Sequence, residues 1–122
     1  MKISQLRNVN KDILIMGDIF LDIFQTTDIV KMSPERPVPV LEPIKSINLL
    51  GGAANVANNI KSIGGSTFLI SKLSNDITSK TIKKLLIKNK INFKIILNKN
   101  YSSPVKKRIV QNEHQFCRLD DE

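Results

Sequence analysis

Four apolar residues run without a break from Ile13 to Met16 and stop at Gly17-Asp18. An apolar run without alternation predicts a strand of a parallel sheet, buried on both faces. Ile19 to Thr27 reads as further strand. Asp28 to Pro39 reads as loop, because Pro34, Pro37 and Pro39 fix φ and remove hydrogen-bond donors. Val38 to Leu50 makes another strand, broken at Pro43. The period then changes. Ala53, Val56, Ala57, Ile60 and Ile63 recur at spacings of three and four, the stripe of an amphipathic helix, and Gly64-Gly65 ends it. Thr67 to Lys72 is a strand. Asn75 or Asp76 caps a second helix over Ile77 to Asn89, with Ile82, Leu85 and Leu86 inward. Asn92 to Leu97 is a third core strand, and Tyr101 to Pro104 a loop. Val105 to Val110 and Gln115 to Leu119 form a hairpin around Asn112-Glu113. At the start, Met1 to Asn10 reads as a short helix with Ile3 and Leu6 on one side.

Strand, helix, strand, helix, strand is the order of an α/β fold on a parallel sheet, since parallel neighbours need a crossover. Two stretches, about 19–50 and 105–119, stand outside this alternation. They predict a smaller antiparallel sheet appended to the core. A chain of 122 residues has room for one such unit and not for a second domain.

Net charge is +8, from 19 basic against 11 acidic residues. Such a balance can mark a nucleic-acid partner. Here fifteen of the basic residues are lysines, scattered along the chain, and with five Phe, one Tyr and no Trp there is little to stack on bases. Lys, Ile and Asn share A/T-rich codons and exceed a third of the chain, so codon bias accounts for the lysines without a nucleic acid. The single cysteine, Cys117, excludes an internal disulfide and fits a reducing, cytoplasmic setting. It is expected as a small buried hydrophobe. No apolar run is long enough to span a bilayer, and no secretion signal opens the chain. His114 is alone, without metal-ligand or triad spacing, and is expected in a turn. No metal site is predicted.

Three groups of residues carry candidate chemistry. Asp18 ends the first strand, with Asp22 four positions on, and ligands of open α/β sheets bind beyond the carboxyl ends of strands. A carboxylate there can accept hydrogen bonds from sugar hydroxyls, or serve only the turn. Gly51-Gly52-Ala53-Ala54-Asn55 opens the first helix. Its glycines permit a close backbone approach, its free N–H groups attract an anion or a hydroxyl, and Asn55 both donates and accepts. The same residues also suit a tight turn packed on a sheet. They are neither a dinucleotide fingerprint nor a Walker A loop. Lys106, Lys107, Arg108 and Arg118 gather on the second hairpin, where alternation puts Lys106 and Arg108 on one face. That face can hold a phosphate or simply be solvated.

Taken in order, three segments resemble the N-terminal part of ribokinase-like (PfkB-type) carbohydrate kinases. They are Gly17-Asp18-Ile19-Phe20-Leu21-Asp22, Met32-Ser33-Pro34-Glu35-Arg36-Pro37-Val38-Pro39-Val40 and Gly51-Gly52-Ala53-Ala54-Asn55-Val56-Ala57. The proline segment and Arg118-Leu119-Asp120 are similar to one branch, the D-glycero-β-D-manno-heptose 7-phosphate kinases. That is the kinase half of the bifunctional heptose kinase/adenylyltransferases. The resemblance implies an α/β/α sandwich with a small antiparallel β-sheet lid, which often pairs two subunits into a homodimer. It implies transfer of the γ-phosphoryl group of ATP, with Mg²⁺, to C1 of a sugar phosphate on the way to ADP-heptose and the lipopolysaccharide core. Asp18 matches the family's sugar-binding aspartate, and Gly51, Gly52 and Asn55 its sugar-binding Gly-Gly-x-x-Asn element. Lys106, Arg108 and Arg118 match basic positions by the lid, assigned to the sugar's phosphate.

The chain also departs from the family. Two glycines usual after the second core strand are absent from Ser71-Lys72-Leu73-Ser74-Asn75-Asp76, although Asp76 is kept. Val105 stands where the heptose branch tends to have Thr. The family's domain is much longer, and its catalytic base and anion hole lie in a later Gly-Ala-Gly-Asp element. Residues 1–122 are thus expected to be an incomplete N-terminal portion without catalytic residues, inactive alone, with an open edge and an open apolar face. The alternative is a non-catalytic remnant or dimerisation module from a kinase for another sugar.

Overall fold

The computed structural model describes residues 12–112 and 114–122. The helix expected over Met1 to Asn10 lies outside them. Strand β1 (Asp12–Met16) is followed by β2 (Ile19–Met32) and β3 (Pro39–Gly52), which form a long antiparallel ribbon. Helix α1 (Ala53–Ser62), strand β4 (Ser66–Leu73), helix α2 (Ile77–Lys88) and strand β5 (Asn92–Leu97) come next. Strands β6 (Val105–Gln111) and β7 (His114–Asp121) close the chain as a hairpin. Two sheets result. One has three parallel strands in the order β1-β4-β5, and the other has four in the order β3-β2-β6-β7.

The parallel sheet carries the core. Along β4, Thr67, Leu69, Ser71 and Leu73 are buried while Phe68 and Lys72 are exposed, so one face lies under the helices and the other is open. Leu69 and Leu73 join Ala54 and Ala57 of α1 and Ile82 and Leu86 of α2 in a single cluster. The buried face of α1 is turned from the expected stripe, since Val56 and Ile63 are exposed and Ala54 and Ala57 are buried. Close approach selects the small residues. A Cβ on Gly17 would lie 3.2 Å from that of Ala53.

Both helices end in the same way. Gly65 N–H donates to Ile60 O and Gly64 N–H to Lys61 O, with Gly64 at φ 91°. After α2, Ile91 N–H donates to Leu86 O and Lys90 N–H to Ile87 O, with Lys90 at φ 55°. These are paired Schellman ends, one with the expected glycine and one with a strained lysine.

Five expectations are corrected. Strand β1 is not buried on both faces: Ile13, Leu14 and Met16 are 38%, 58% and 70% exposed. It is one of the sheet's two edge strands, and Leu14 and Met16 share the open face with Phe68 and Ile96. Half of the stretch expected as loop over Asp28 to Pro39 is strand, because the β2–β3 ribbon continues to the pair Met32–Pro39 and leaves only residues 33–38 as the connecting loop. Pro43 does not break β3. That strand is an edge, and its register with β2 slips from Thr26–Lys45 to Thr27–Pro43, leaving Ile44 as the bulged residue. Cys117 is exposed, because both faces of β7 are open. His114 opens β7 instead of sitting in the turn, where Asn112 takes the left-handed φ of 46°.

The appended sheet is also not purely antiparallel. Strand β2 pairs with β6 in parallel, from Leu21–Val105 to Thr26–Val110, and this seam joins the two hairpins. With four strands it is the larger of the two sheets.

Candidate functional site

The end of β1 and the start of α1 are tied together by their backbones. Asp18 O accepts the N–H of Ala53 at 3.0 Å, and Gly17 O accepts the Ser71 hydroxyl at 2.6 Å. Gly52 caps α1 at φ 61°, ψ −137°, without a side-chain hydrogen bond. A Cβ on Gly52 would overlap the Asp18 carbonyl oxygen, and one on Gly51 would overlap the Phe20 ring. The protein's own packing therefore requires both glycines. The Asp18 carboxylate points outward, with its side chain 80% exposed, and Lys72 Nζ stands 3.9 Å from it. Lys72 also lies 4.8 Å from the centre of the Tyr101 ring. Burial, then the charges of Asp18 and Glu122, push the Tyr101 hydroxyl pKa up.

The appended sheet presents an ordered row of charges. Period-2 alternation places Phe20, Asp22 and Phe24 on one face of β2, and the register sets Asp22 beside Lys106 and Phe24 beside Arg108. Across to β7, Lys106 faces Asp120 and Arg108 faces Arg118, so all three expected cations share this face. Like charges opposite each other are unfavourable, and separate carboxylates relieve them. Arg108 Nε donates to Asp22 Oδ1 at 2.8 Å, and Arg118 donates twice to Asp120, at 2.8 Å each. Lys106 Nζ reaches Glu122 at 2.6 Å and Asp120 at 3.4 Å. The Glu122 hydrogen bond, offset by partial burial, raises the Lys106 pKa, and the Arg118 hydrogen bonds lower that of Asp120.

Two cavities flank Phe20. The larger, about 640 Å³, brings Gly51, Gly52 and Asn55 together with Asp22, Arg108 and Lys88. The smaller, about 380 Å³, holds Asp18, Lys72, Tyr101, Lys106 and Glu122. Asp18 and Lys106 are thus set across the Phe20 ring from the Gly-Gly-x-x-Asn element, and Arg118 lines neither cavity. Sequence reasoning missed Phe20 as the shared wall, Asp22 as the partner of Arg108, and Lys72 and Lys88 as lining cations. The even spacing of Asp18, Phe20, Asp22 and Phe24 was the available signal for a common face.

Asp76 ties the start of α2 to the loop before β6. Its Oδ1 accepts the Ser79 N–H at 2.6 Å as the cap of α2, and its Oδ2 accepts the Ser103 N–H at 2.9 Å. The Ser103 hydroxyl in turn accepts the Ser74 N–H at 3.0 Å. Burial works to raise the Asp76 pKa, but the hydrogen bonds from Ser79 and Ser103 outweigh it and leave the carboxyl below its ordinary value.

No family model matches the chain. It is 36% identical over 113 residues to the bifunctional protein HldE of Helicobacter acinonychis, covering 92% of this chain and 24% of that protein. In fold it is similar to a putative ribokinase from Agrobacterium tumefaciens, with TM-score 0.72 and 18% identity, covering 93% of this chain and 36% of that one. The chain is thus a relative of HldE with the N-terminal portion of a ribokinase-like fold. The resemblance described above implies that the parallel sheet belongs to the sandwich and that the four-stranded sheet is the lid. A fructokinase with bound ATP from Xylella fastidiosa shares this portion, with TM-score 0.64 and 14% identity, over 93% of this chain and 34% of that one. The chain spans about a quarter of the length of the curated relatives it matches. Among the described residues, no helix is long and apolar enough to cross a membrane.

Proposed function

We propose that this chain supplies the sugar-binding and lid portion of a cytoplasmic, ATP-dependent carbohydrate kinase. Its substrate is D-glycero-β-D-manno-heptose 7-phosphate, phosphorylated at C1 in the synthesis of ADP-heptose for the lipopolysaccharide core. The observation that carries the reading is the cavity where Gly51, Gly52 and Asn55 meet Arg108. It sets backbone and amide groups suited to hydroxyls beside a guanidinium suited to a phosphate. The likeness to HldE supports the heptose. Asp18, exposed at the end of β1, accepts a sugar hydroxyl as Lys72 is displaced. Lys106 and Arg118 continue the positive row towards the phosphate, each exchanging a carboxylate for the incoming anion.

ATP and Mg²⁺ belong to the complete enzyme. Among the described residues no three His, Cys, Asp or Glu side chains gather as a candidate metal site. A general base contributes about 10²–10⁴-fold to such a transfer, and donors at the transferring group contribute about 10²–10³-fold each. Neither role falls on a residue of this chain, so alone it binds sugar phosphate without phosphorylating it. Ile29, Val30, Met32 and Val38, exposed near the tip of the ribbon, favour pairing of two lids. That feature also suits the second reading, a non-catalytic dimerisation module.

The test titrates heptose 7-phosphate into the chain and its Asp18→Ala variant, with ATP, Mg²⁺ and phosphorus NMR for turnover. Losing a charged hydrogen bond weakens binding by about 1.5–3 kcal/mol, and no 1,7-bisphosphate forms. Equal affinity of the two chains removes Asp18 from the site. Dimerisation without sugar binding selects the second reading.

A further inference from the structure

Arg108 is held from several sides at the edge of the larger cavity. Its Nε donates to Asp22 Oδ1 at 2.8 Å, and its Nη1 donates to Gln115 Oε1 at 3.2 Å. Its guanidinium carbon lies 5.4 Å from the centre of the Phe24 ring. Asp22 and Phe24 come from β2 and Gln115 from β7, so both strands next to β6 grip the same side chain. Among the described residues, Nη2 has no hydrogen-bond partner. The Asp22 side chain is only 15% exposed, which a carboxylate tolerates when it is paired. Arg118, by contrast, commits Nε and Nη2 to Asp120, and Lys106 is bound to Asp120 and Glu122 outside this cavity. Lys88 approaches the cavity from the last turn of α2. With Arg108, Lys88 and one carboxylate, the cavity is positive by about one charge, a match for an anion carried on a hydroxyl-rich body.

We propose that Asp22 is a positioning residue. With Gln115 and Phe24 it fixes the Arg108 guanidinium so that Nη2 meets the ligand's anionic group, and Arg108 is the residue that tells a phosphorylated sugar from a plain one. The proposal rests on the sugar-site reading above. Its physical basis is preorganisation. Ordering a long, rotamer-rich side chain at the moment of binding costs roughly 2- to 10-fold in affinity, and a side chain already held escapes that loss. Asp22 thus contributes to affinity while bearing the same sign as the ligand.

The experiment titrates the full chain with sedoheptulose 7-phosphate and with sedoheptulose, followed by ¹H–¹⁵N NMR, which also reports whether each variant is folded. The wild-type chain prefers the phosphorylated probe by roughly 10- to 100-fold, and Arg108→Gln abolishes the preference. Asp22→Asn, which keeps size and an acceptor, reduces it by roughly 2- to 10-fold. The double variant is no weaker than Arg108→Gln alone. The Arg108 Nε–H resonance exchanges faster with water in Asp22→Asn, without any ligand. If Arg108→Gln fails to fold, Arg108→Lys takes its place, since it keeps the charge, loses the Nε bond and reproduces the Asp22→Asn loss. Lys107→Gln, the same charge change on the other face of β6, leaves the preference intact. A preference that survives both Asp22→Asn and the Arg108 variants overturns the positioning role and leaves the sugar site standing. Failure of the wild-type chain to bind either probe overturns the sugar-site reading, and the proposal with it.

Discussion

Leu69 and Leu73 on β4 are completely buried, whereas every described residue of β7 is exposed. The two sheets are held by different forces. In the parallel sheet, apolar side chains from β4, α1 and α2 exclude water from a common cluster. In the lid the buried apolar residues sit at the root, Ile19, Leu21 and Leu50, and further out along β2 the buried residue is polar, Thr27. Further out, the strands rely on ladder hydrogen bonds and on charge pairs spread over an open face. Apolar burial responds little to salt or pH. Exposed charge pairs are screened over about 10 Å at 0.1 M salt. The contrast predicts a scaffold that yields only to lost volume and a lid that yields to ionic conditions.

The largest effect belongs to the scaffold. Leu69→Ala leaves a cavity beneath both helices and costs about 2–5 kcal/mol, read from the shift of the urea midpoint. A cost below about 1 kcal/mol would mean that burial is not what holds the parallel sheet.

Gly52→Ala tests the junction between the two sheets. Its Cβ meets the Asp18 carbonyl at a φ of 61°, so a loss of about 1–3 kcal/mol is expected. Gly64→Ala is the control, since Gly64 has φ 91° but nothing near its missing Cβ, and it costs no more than about 1 kcal/mol. If Gly52→Ala stays as stable as wild type and only sugar binding falls, ligand approach and not packing selects the glycine.

Asp76→Ala removes both the cap of α2 and the tie to Ser103, at a cost of about 0.5–2 kcal/mol. The pH dependence has a definite sign. The folded-state pKa of Asp76 lies below its unfolded value, so the stabilisation is complete above the unfolded pKa of about 3.9. It is lost as pH falls through the lower folded value. Asp76→Asn flattens the acid limb of the stability curve over that range, and an unchanged limb would assign the acid sensitivity elsewhere.

The smallest effect is in the lid. Arg118→Gln leaves the unfolding midpoint unmoved but speeds amide exchange along β7 at low salt. The difference fades in molar salt. A midpoint shift that persists in salt would show that lid and scaffold are not separable in this way.

Local signals explain what could be read in advance. The end of α1 at Gly64-Gly65, the Asp76 cap and the bounds of β5 each depend on a few neighbouring residues, and each stands where the pattern put it. The burial of β1 could not be read. Its apolar run reports what the strand is suited to pack against, while exposure depends on what lies over it, and only one face of that sheet is covered. The length of the ribbon was hidden because prolines mark interruption locally, yet an edge strand tolerates Pro39 and Pro43. The cations of β6 and β7 were legible as a cluster. Their carboxylate partners were not, because Asp22 meets Arg108 only through a pairing between distant parts of the chain.

That pairing also sets a timetable. Leu21 meets Val105, and Thr26 meets Val110, with a whole strand-helix-strand-helix-strand passage between them. Closing so long a loop costs chain entropy before the first seam bond forms, and such non-local contacts slow folding. During synthesis the β2–β3 ribbon is finished well before β6 leaves the ribosome, and an isolated pair of strands is marginal in water. Assembly of the lid is then the last event in folding. In pulse-labelling, the amides of β2 that face β6 gain protection after those of β4.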